Sequence, residues 1–310
     1  MYAHPPILTS NDCEGAGQTF SVSTQPYKKH HHRSHSPEKN TSSLPETLPT
    51  FFDKPSFLTV SSQLHLEVFA ASHPRVFTLS PCFRAERSQT GRHLSEFWML
   101  EAEWAFTRSL DDICDVVEEV TKASLRAASA AEGFDVTAMN LDKPWPRISY
   151  TDAIRELGKH LAQSNADSAD KFNFLPSWGV ALQSEHEKYL ASVMGSPVFI
   201  TDYPTELKPF YMRGNDDGCT VACFDLVVPG IGEVAGGSLR EERLDLLDNA
   251  LEKHKLDKEV YGWYRELRKY GGTPHGGFGL GFERLVSATT GIENVRECIG
   301  MPRWAGRMLL

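Results

Sequence analysis

The chain has 310 residues, which is enough for one large domain or two of ordinary size. Its hydrophobic fraction of 40% and charged fraction of 24% are typical of a globular protein. No uncharged apolar run approaches the ~20 residues that span a bilayer, so we expect no membrane association. The net charge of -9 argues against a broad nucleic-acid-binding surface, but it leaves room for a local basic groove.

The N-terminal part of the chain contains a segment of unusual composition. Residues 26–49 hold prolines, serines, lysines and histidines, and almost no apolar side chains. A segment that cannot bury apolar surface does not gain enough free energy to fold. The composition therefore predicts a disordered insertion at 26–49.

Two stretches of alternating character predict an antiparallel hairpin. Along 97–106 every even-numbered residue is apolar, whereas the odd positions include Glu101 and Glu103. Along 76–86, Arg84 and Glu86 fall on one face. Side chains alternate between the two faces of a strand, so one face of this hairpin is expected to pack on helices and the other to carry charge.

The rest of the chain predicts helices and strands without a regular strand–helix–strand order. Periodicity indicates helices over 109–132, 151–163, 239–254 and 258–270, and strands over 219–228 and 233–237. A glycine-rich strand follows and enters a helix near Phe282. Early strand pairing with interspersed helices predicts an α+β fold, with an antiparallel sheet flanked by helices.

Charged residues on the polar strand faces indicate a phosphate-binding site. Arginine binds phosphate or carboxylate through a planar fork, and carboxylates on neighbouring strands bind Mg²⁺ together with substrate phosphates. Neither of the usual glycine-rich nucleotide loops is present. Taken singly, each of these residues also fits a surface ion pair; taken together they suggest a polyphosphate bound by arginines and a metal. The residues concerned are Arg84, Glu86, Glu101, Glu103, Asp225, Glu233, Arg240 and Arg284.

Two long motifs resemble those of class II aminoacyl-tRNA synthetases. "FRAERSQTGRHLSEFWMLEAEWAF", beginning at Phe83, resembles motif 2, and "GGFGLGFERL", beginning at Gly276, resembles motif 3. "TSNDCEGAG" and "FLTVSSQLHLE" are similar to the asparaginyl branch of that family. The resemblance covers nearly the whole chain apart from 26–49. It implies the class II catalytic domain and, as activity, an asparagine–tRNA ligase that uses ATP and Mg²⁺.

The resemblance also implies roles for individual residues toward ATP. Arg84 would bind the α-phosphate and the amino-acid carboxylate, Glu86 the adenine amino group, and Phe97 the face of the adenine ring. Arg92 and His93 would reach the outer phosphates, as Arg284 would from the other side, so that Arg84, Arg284 and His93 carry catalysis by position and charge. The ATP-binding residues implied are thus Arg84, Glu86, Arg92, His93, Phe97, Glu233, Gly281 and Arg284, and the Mg²⁺ ligands are Glu103, Asp225 and Glu233.

By the same resemblance a second group of residues would bind the amino acid. Glu14, Ser61 and Gln63 would bind the α-amino group, Arg240 the side-chain oxygen, and Lys208 and Tyr211 would border the pocket. Leu66 is informative, because aspartyl-tRNA synthetases resemble this stretch but carry a lysine there. Because Leu66 carries no positive charge, the site should favour a substrate with a neutral side-chain amide over one with a side-chain carboxylate.

Parts that the family is expected to contain are not found in this chain. The N-terminal OB-fold anticodon-binding domain and most of the motif 1 helix are missing, and Pro6 fits the end of motif 1. We therefore expect an N-terminally truncated catalytic domain over 1–310. The family forms homodimers through the motif 1 helix, so its loss argues against a dimer here.

The expected partners are asparagine and tRNA(Asn). An aspartyl-tRNA synthetase and a truncated, non-catalytic synthetase-like binding protein are the alternatives. The amino-acid sequence around motif 2 is most similar to the organellar, fungal-type form, which favours a mitochondrial location over a cytoplasmic one.

Overall fold

A seven-stranded sheet forms the centre of the computed structural model, which describes residues 1–13, 18–23, 51–88, 90–163 and 172–308. The predicted insertion at 26–49 lies outside the described residues. The strands are β1 (Leu8–Thr9), β2 (Phe57–Leu58), β3 (Arg75–Phe83), β4 (Glu96–Ala105), β5 (Arg147–Ser149), β6 (Val198–Thr201), β7 (Cys223–Val228), β8 (Gly232–Leu239) and β9 (His275–Gly281). The helices are α1 (Gln63–Ala70), α2 (Leu110–Glu132), α3 (Tyr150–Gln163), α4 (Ser184–Met194), α5 (Leu244–Lys253), α6 (Gly262–Lys269) and α7 (Phe282–Thr290).

The sheet is almost entirely antiparallel. Its strand order is β3-β4-β9-β8-β7-β6-β5, and the β5–β6 contact alone is parallel among these described pairings. Strands β1 and β2 form a separate antiparallel pair. The predicted α+β fold with an antiparallel sheet flanked by helices is therefore confirmed.

The predicted hairpin is present as β3 and β4, with Cys82 opposite Phe97 near its tip. Leu100 and Trp104 pack against the apolar core beneath the sheet, whereas Glu101 and Glu103 are buried on the other face. The alternation ends earlier than the sequence suggests. Phe106 was predicted to share the packing face, but its φ of 67° turns the chain out of the strand and leaves its side chain 74% exposed.

Helix α2 covers the apolar side of the sheet. Ser109 caps it by accepting a hydrogen bond from the backbone N–H of Asp111, and Gly133 ends it in the left-handed conformation. Ile113 and Val117 are fully buried against the sheet. The helix thus fixes the rear of the sheet and leaves the opposite face for the polar residues.

Several predicted boundaries shift, each for a local reason, and the helix predicted over 258–270 spans Gly262–Lys269. Strand β8 continues to Leu239, opposite Gly276, so the helix predicted from 239 begins at Leu244. The strand predicted from 219 begins at Cys223, because the preceding residues form a turn around Asp217. Within the described residues, no helix is long and apolar enough to span a bilayer.

Candidate active site

The polar face of the sheet is organised in rows that cross four strands. Glu101 on β4 pairs with Gly279 on β9, which pairs with Gly236 on β8, which pairs with Asp225 on β7. Two carboxylates therefore stand at the ends of a row whose centre has no side chains. This bare centre gives a ligand direct access to the backbone of the sheet.

One cavity lies at the hairpin side of this face. It is lined by every residue that the sequence predicts to bind ATP: Arg84, Glu86, Arg92, His93, Phe97, Glu233, Gly281 and Arg284. The guanidinium of Arg84 lies 5.5 Å from the centre of the Phe97 ring. The structure thus brings together side chains that the chain separates by up to two hundred residues.

The charges in this first cavity balance one another locally. Nη1 of Arg284 donates to Oε2 of Glu233 over 3.1 Å, and Nε2 of His93 lies 3.6 Å from Oε2 of Glu86. Burial and the nearby arginines lower the pKa of His93, with Glu86 acting in the opposite direction. His93 is therefore suited to act as a neutral hydrogen-bonding group near neutral pH.

A second cavity adjoins the first. Of the residues predicted to bind the amino acid, Ser61, Gln63, Tyr211 and Arg240 line it, as do Leu66 and Lys208. The remaining predicted residue, Glu14, lies outside the described residues. Arg84, Met99, Glu233 and Gly279 line both cavities. Two ligands bound in the two cavities would therefore meet beside Arg84.

Arg240 is held rigidly in the second cavity. Its Nη2 donates to Oε2 of Glu103 over 2.8 Å, and its Nη1 donates to the hydroxyl of Ser238 over 2.6 Å. Its Nε also lies 3.9 Å from Oε1 of Glu67. Two carboxylates thus neutralise this cation and fix its orientation.

Glu67 is a buried residue that sequence reasoning missed. It accepts hydrogen bonds from Arg268 at 2.7 Å, from Tyr264 at 2.9 Å and from His275 at 2.9 Å. Burial opposes its ionisation, but Arg268 and His275 outweigh that effect and hold the pKa of Glu67 far below its usual range. Because these partners come from distant segments, no local pattern could have identified them.

Among the predicted metal ligands, Glu103 has a different surrounding from the other two. Glu103 lies in the row of Gly277 and Ser238, five residues along β8 from Glu233, and it is bound to Arg240. Among the described residues, the three candidate ligands within 4.8 Å of one another are Glu67, Glu103 and His275, not the predicted set. Glu103 is therefore paired with Arg240 in this structure, and its role as a metal ligand stays a prediction.

Asp225 and Glu233 do converge on one point. A Cβ built on Gly236 would lie 3.2 Å from Oδ1 of Asp225 and 3.7 Å from Oε1 of Glu233. Burial disfavours the charged form of Glu233, but Arg284 and Lys208 prevail and lower its pKa. Two neighbouring carboxylates are the kind of oxygen ligand that Mg²⁺ takes from proteins when phosphates supply the rest.

Lys208 and Glu187 flank these carboxylates. Nζ of Lys208 donates to both oxygens of Asp225, at 2.7 and 2.8 Å, and Asp225 outweighs burial to raise the pKa of Lys208. Oε2 of Glu187 accepts from Nη2 of Arg92 at 2.9 Å. The sequence indicated Lys208 at the border of the pocket, but it gave no signal for Glu187.

Comparisons with known proteins show which family the chain belongs to. The family model described as tRNA synthetases class II (D, K and N) matches residues 1–305. The chain is 44% identical over 321 residues to the asparagine–tRNA ligase of Legionella pneumophila (strain Corby), covering 99% of this chain and 65% of that protein. It is 45% identical over 327 residues to the asparaginyl-tRNA synthetase of Mus musculus, covering 100% of this chain and 63% of that protein.

A solved structure is similar to this chain over its whole length. The asparaginyl-tRNA synthetase of Pyrococcus horikoshii, complexed with asparaginyl-adenylate, superposes with a TM-score of 0.83 at 33% identity, covering 100% of this chain and 64% of that one. The chain thus spans about 65% of the length of the first of these relatives. The match of the family model over residues 1–305 shows that the chain belongs to the class II tRNA synthetases of the D, K and N type.

Proposed function

We propose that the chain is the catalytic part of an asparagine–tRNA ligase. It would activate asparagine with ATP to asparaginyl-adenylate and pass the asparagine to the 3′ end of tRNA(Asn). The observation that carries the proposal is the pair of adjoining cavities that share Arg84, one lined by candidate ATP ligands and the other by candidate asparagine ligands. Relatives over the whole length of this chain are named as asparagine–tRNA ligases, which supports the same activity.

In the first step the asparagine carboxylate would attack the α-phosphorus of ATP. A bond forms between a carboxylate oxygen and phosphorus, and the bond from phosphorus to pyrophosphate breaks. Arg84 lies where the two cavities meet, so it can bind the carboxylate and the α-phosphate together. Bringing two substrates together in this way lowers the barrier without a covalent nucleophile.

The residues around the outer phosphates would stabilise the leaving pyrophosphate. Arg92, His93 and Arg284 all line the ATP cavity and can donate hydrogen bonds to phosphate oxygens. Asp225 and Glu233 would hold Mg²⁺, which supplies positive charge for the pyrophosphate as it leaves. The carboxylates therefore contribute indirectly, by binding that charge.

Selection of the amide follows from the charges in the second cavity. The guanidinium of Arg240 is already paired with Glu103, and Leu66 adds no cation. A substrate carboxylate would thus find little unpaired positive charge, whereas a neutral amide oxygen can still accept a hydrogen bond from Arg240. These contacts favour asparagine over aspartate.

Exchange of labelled pyrophosphate into ATP tests the proposal. The purified chain should catalyse this exchange when asparagine is present and much less when aspartate replaces it. Exchange driven equally by both amino acids would contradict the selection argument and favour an aspartyl-tRNA synthetase. ATP binding without exchange for any amino acid would favour a non-catalytic binding protein.

We also propose a mitochondrial location, because the amino-acid sequence around motif 2 resembles the organellar, fungal-type form. Imaging of the natural gene product beside a mitochondrial marker tests it. A cytoplasmic signal alone would refute it.

A further inference from the structure

The side chains of Arg92 and Glu187 meet over the turn that leads into β8. Nη2 of Arg92 donates to Oε2 of Glu187 over 2.9 Å, and the same oxygen accepts from the backbone N–H of Glu233 at 3.2 Å. One carboxylate from α4 thus connects the hairpin loop to the strand that carries a candidate metal ligand. The two side chains are 22% and 14% exposed, so solvent screens this pair only in part.

The turn beneath this pair has room for glycine only. Gly232 has a φ of +93°, which side-chain-bearing residues rarely adopt. A Cβ at this position would lie 2.7 Å from Oε2 of Glu187 and 2.9 Å from Nη2 of Arg92. The ion pair therefore packs directly on the backbone, and any side chain at 232 would displace it.

The backbone on both sides of Arg92 is also anchored. The carbonyl of Gly91 accepts from the N–H of Val295 at 2.9 Å, and the carbonyl of His93 accepts from Nε of Arg296 at 3.4 Å. With its neighbours held, Arg92 can change position mainly by rotating its side chain. The partner of its guanidinium therefore decides where that side chain points.

From this geometry we infer that Glu187 is a positioning residue, which holds Arg92 toward the outer phosphates of ATP. The inference rests on the proposed function, because it assumes that ATP occupies the first cavity. Arg92 lines that cavity, whereas Glu187 does not. Glu187 thus acts through Arg92 and not by touching the nucleotide.

A double-mutant cycle tests the inference. Glu187→Gln keeps the size of the side chain and removes its charge. We expect it to raise the KM for ATP in asparagine-dependent exchange about tenfold, while the KM for asparagine changes by less than about twofold, because only the nucleotide contact is disturbed. In an Arg92→Ala background, the same substitution should change the KM for ATP by less than about twofold.

A matched control tests whether the loss of any negative charge near α4 is enough to change the KM for ATP. Glu293 forms a 3.9 Å ion pair with Lys188 of α4, the helix that also carries Glu187. The side chain of Glu293 is 77% exposed. Glu293→Gln removes a negative charge near α4 without touching Arg92, and it should leave both KM values unchanged. Equal melting temperatures for the two variants would exclude a general loss of stability as the cause.

Three outcomes would overturn the inference. They are an equal effect of Glu187→Gln in both backgrounds, tighter ATP binding in that variant, and no effect at all. Equilibrium dialysis with ATP alone separates this result from the proposed function. If the unmodified chain binds ATP but shows no exchange, the proposed function fails while the cycle can still be measured by ATP affinity. If the unmodified chain does not bind ATP, both fail.

Discussion

Arg240 donates to Glu103 from Nη2 over 2.8 Å, and both side chains are almost wholly buried beside the second cavity. A buried charge that loses its partner is strongly destabilising. Burial and Glu67 also raise the pKa of Glu103, although Arg240 opposes them. Arg240 therefore offsets part of the cost of burying this carboxylate, and the loss of either partner would leave the other charge without its main counter-ion.

Glu103→Gln should accordingly destabilise the chain and weaken asparagine binding. We expect a loss of about 3–5 kcal/mol in the free energy of unfolding, as for other buried pairs that lose one partner. The KM for asparagine should rise, whereas the Mg²⁺ concentration for half-maximal exchange should stay the same. A large change in the Mg²⁺ requirement would indicate that Glu103 binds the metal. Glu119→Gln, on the exposed face of α2, serves as the control.

Arg84→Ala should abolish adenylate formation while the fold remains intact. Arg84 lines both cavities, so its loss removes a contact to each substrate at the reacting atoms. A rate loss of at least about a hundredfold in exchange is expected, in line with the removal of other transition-state donors. Arg75→Ala, at the exposed start of β3, the strand that ends just before Arg84, should exchange normally. Near-normal exchange by Arg84→Ala would refute the assignment.

Leu66→Lys should reverse the preference between amide and carboxylate. Leu66 is 1% exposed and lines the second cavity, so a lysine would bring positive charge to the site. Asparagine-dependent exchange should fall at least about tenfold, and the ratio of aspartate to asparagine rates should rise. Leu66→Met keeps an apolar side chain of similar volume and should retain the original preference. An unchanged ratio in Leu66→Lys would show that residue 66 does not select the substrate.

The contact between His275 and Glu67 should make stability depend on pH. Burial opposes a charge on His275, but the hydrogen bond to Glu67 and its negative charge raise the pKa of His275. A raised pKa in the folded state gives stability that is fully present below the unfolded value of about 6.5 and is lost as pH rises through the folded value. Glu67, whose pKa is depressed, stays ionised throughout this range.

The difference in unfolding free energy between the unmodified chain and His275→Asn should therefore be larger near pH 6 than near pH 9. Denaturant titrations at the two pH values measure it. His73→Asn, at an exposed site, should show no such pH dependence. A difference that stays constant with pH would mean that His275 is not charged in the folded chain.

Local pattern predicted much of this molecule, and its errors have a common cause. Alternation identified the β3–β4 hairpin and the face that carries Glu101 and Glu103, because the side-chain period of a strand is local. It did not identify the row in which each carboxylate lies, since rows depend on the register between β4, β9 and β8. The sequence therefore gives no sign that Glu103 lies beside Arg240.

The buried partners were missed for a related reason. Glu67 and Arg268 are 201 positions apart in the chain, and their contact exists only once α1 and α6 have packed together. The pairing of Arg92 with Glu187 likewise joins a loop to a helix across 95 positions. Such contacts leave no periodic trace in the sequence.

The bare centre of the sheet also matters for redesign. A Cβ on Gly277, which pairs with Glu103, would lie 2.1 Å from the carbonyl oxygen of Ala102, so this position beside the second cavity cannot accept a side chain. Efforts to admit a larger amino acid should therefore vary the walls at Tyr211 and Leu66. Libraries that randomise Gly276 and Gly277 would consist mostly of chains with a disrupted sheet, because a Cβ at either position lies within 3.0 Å of a backbone carbonyl oxygen.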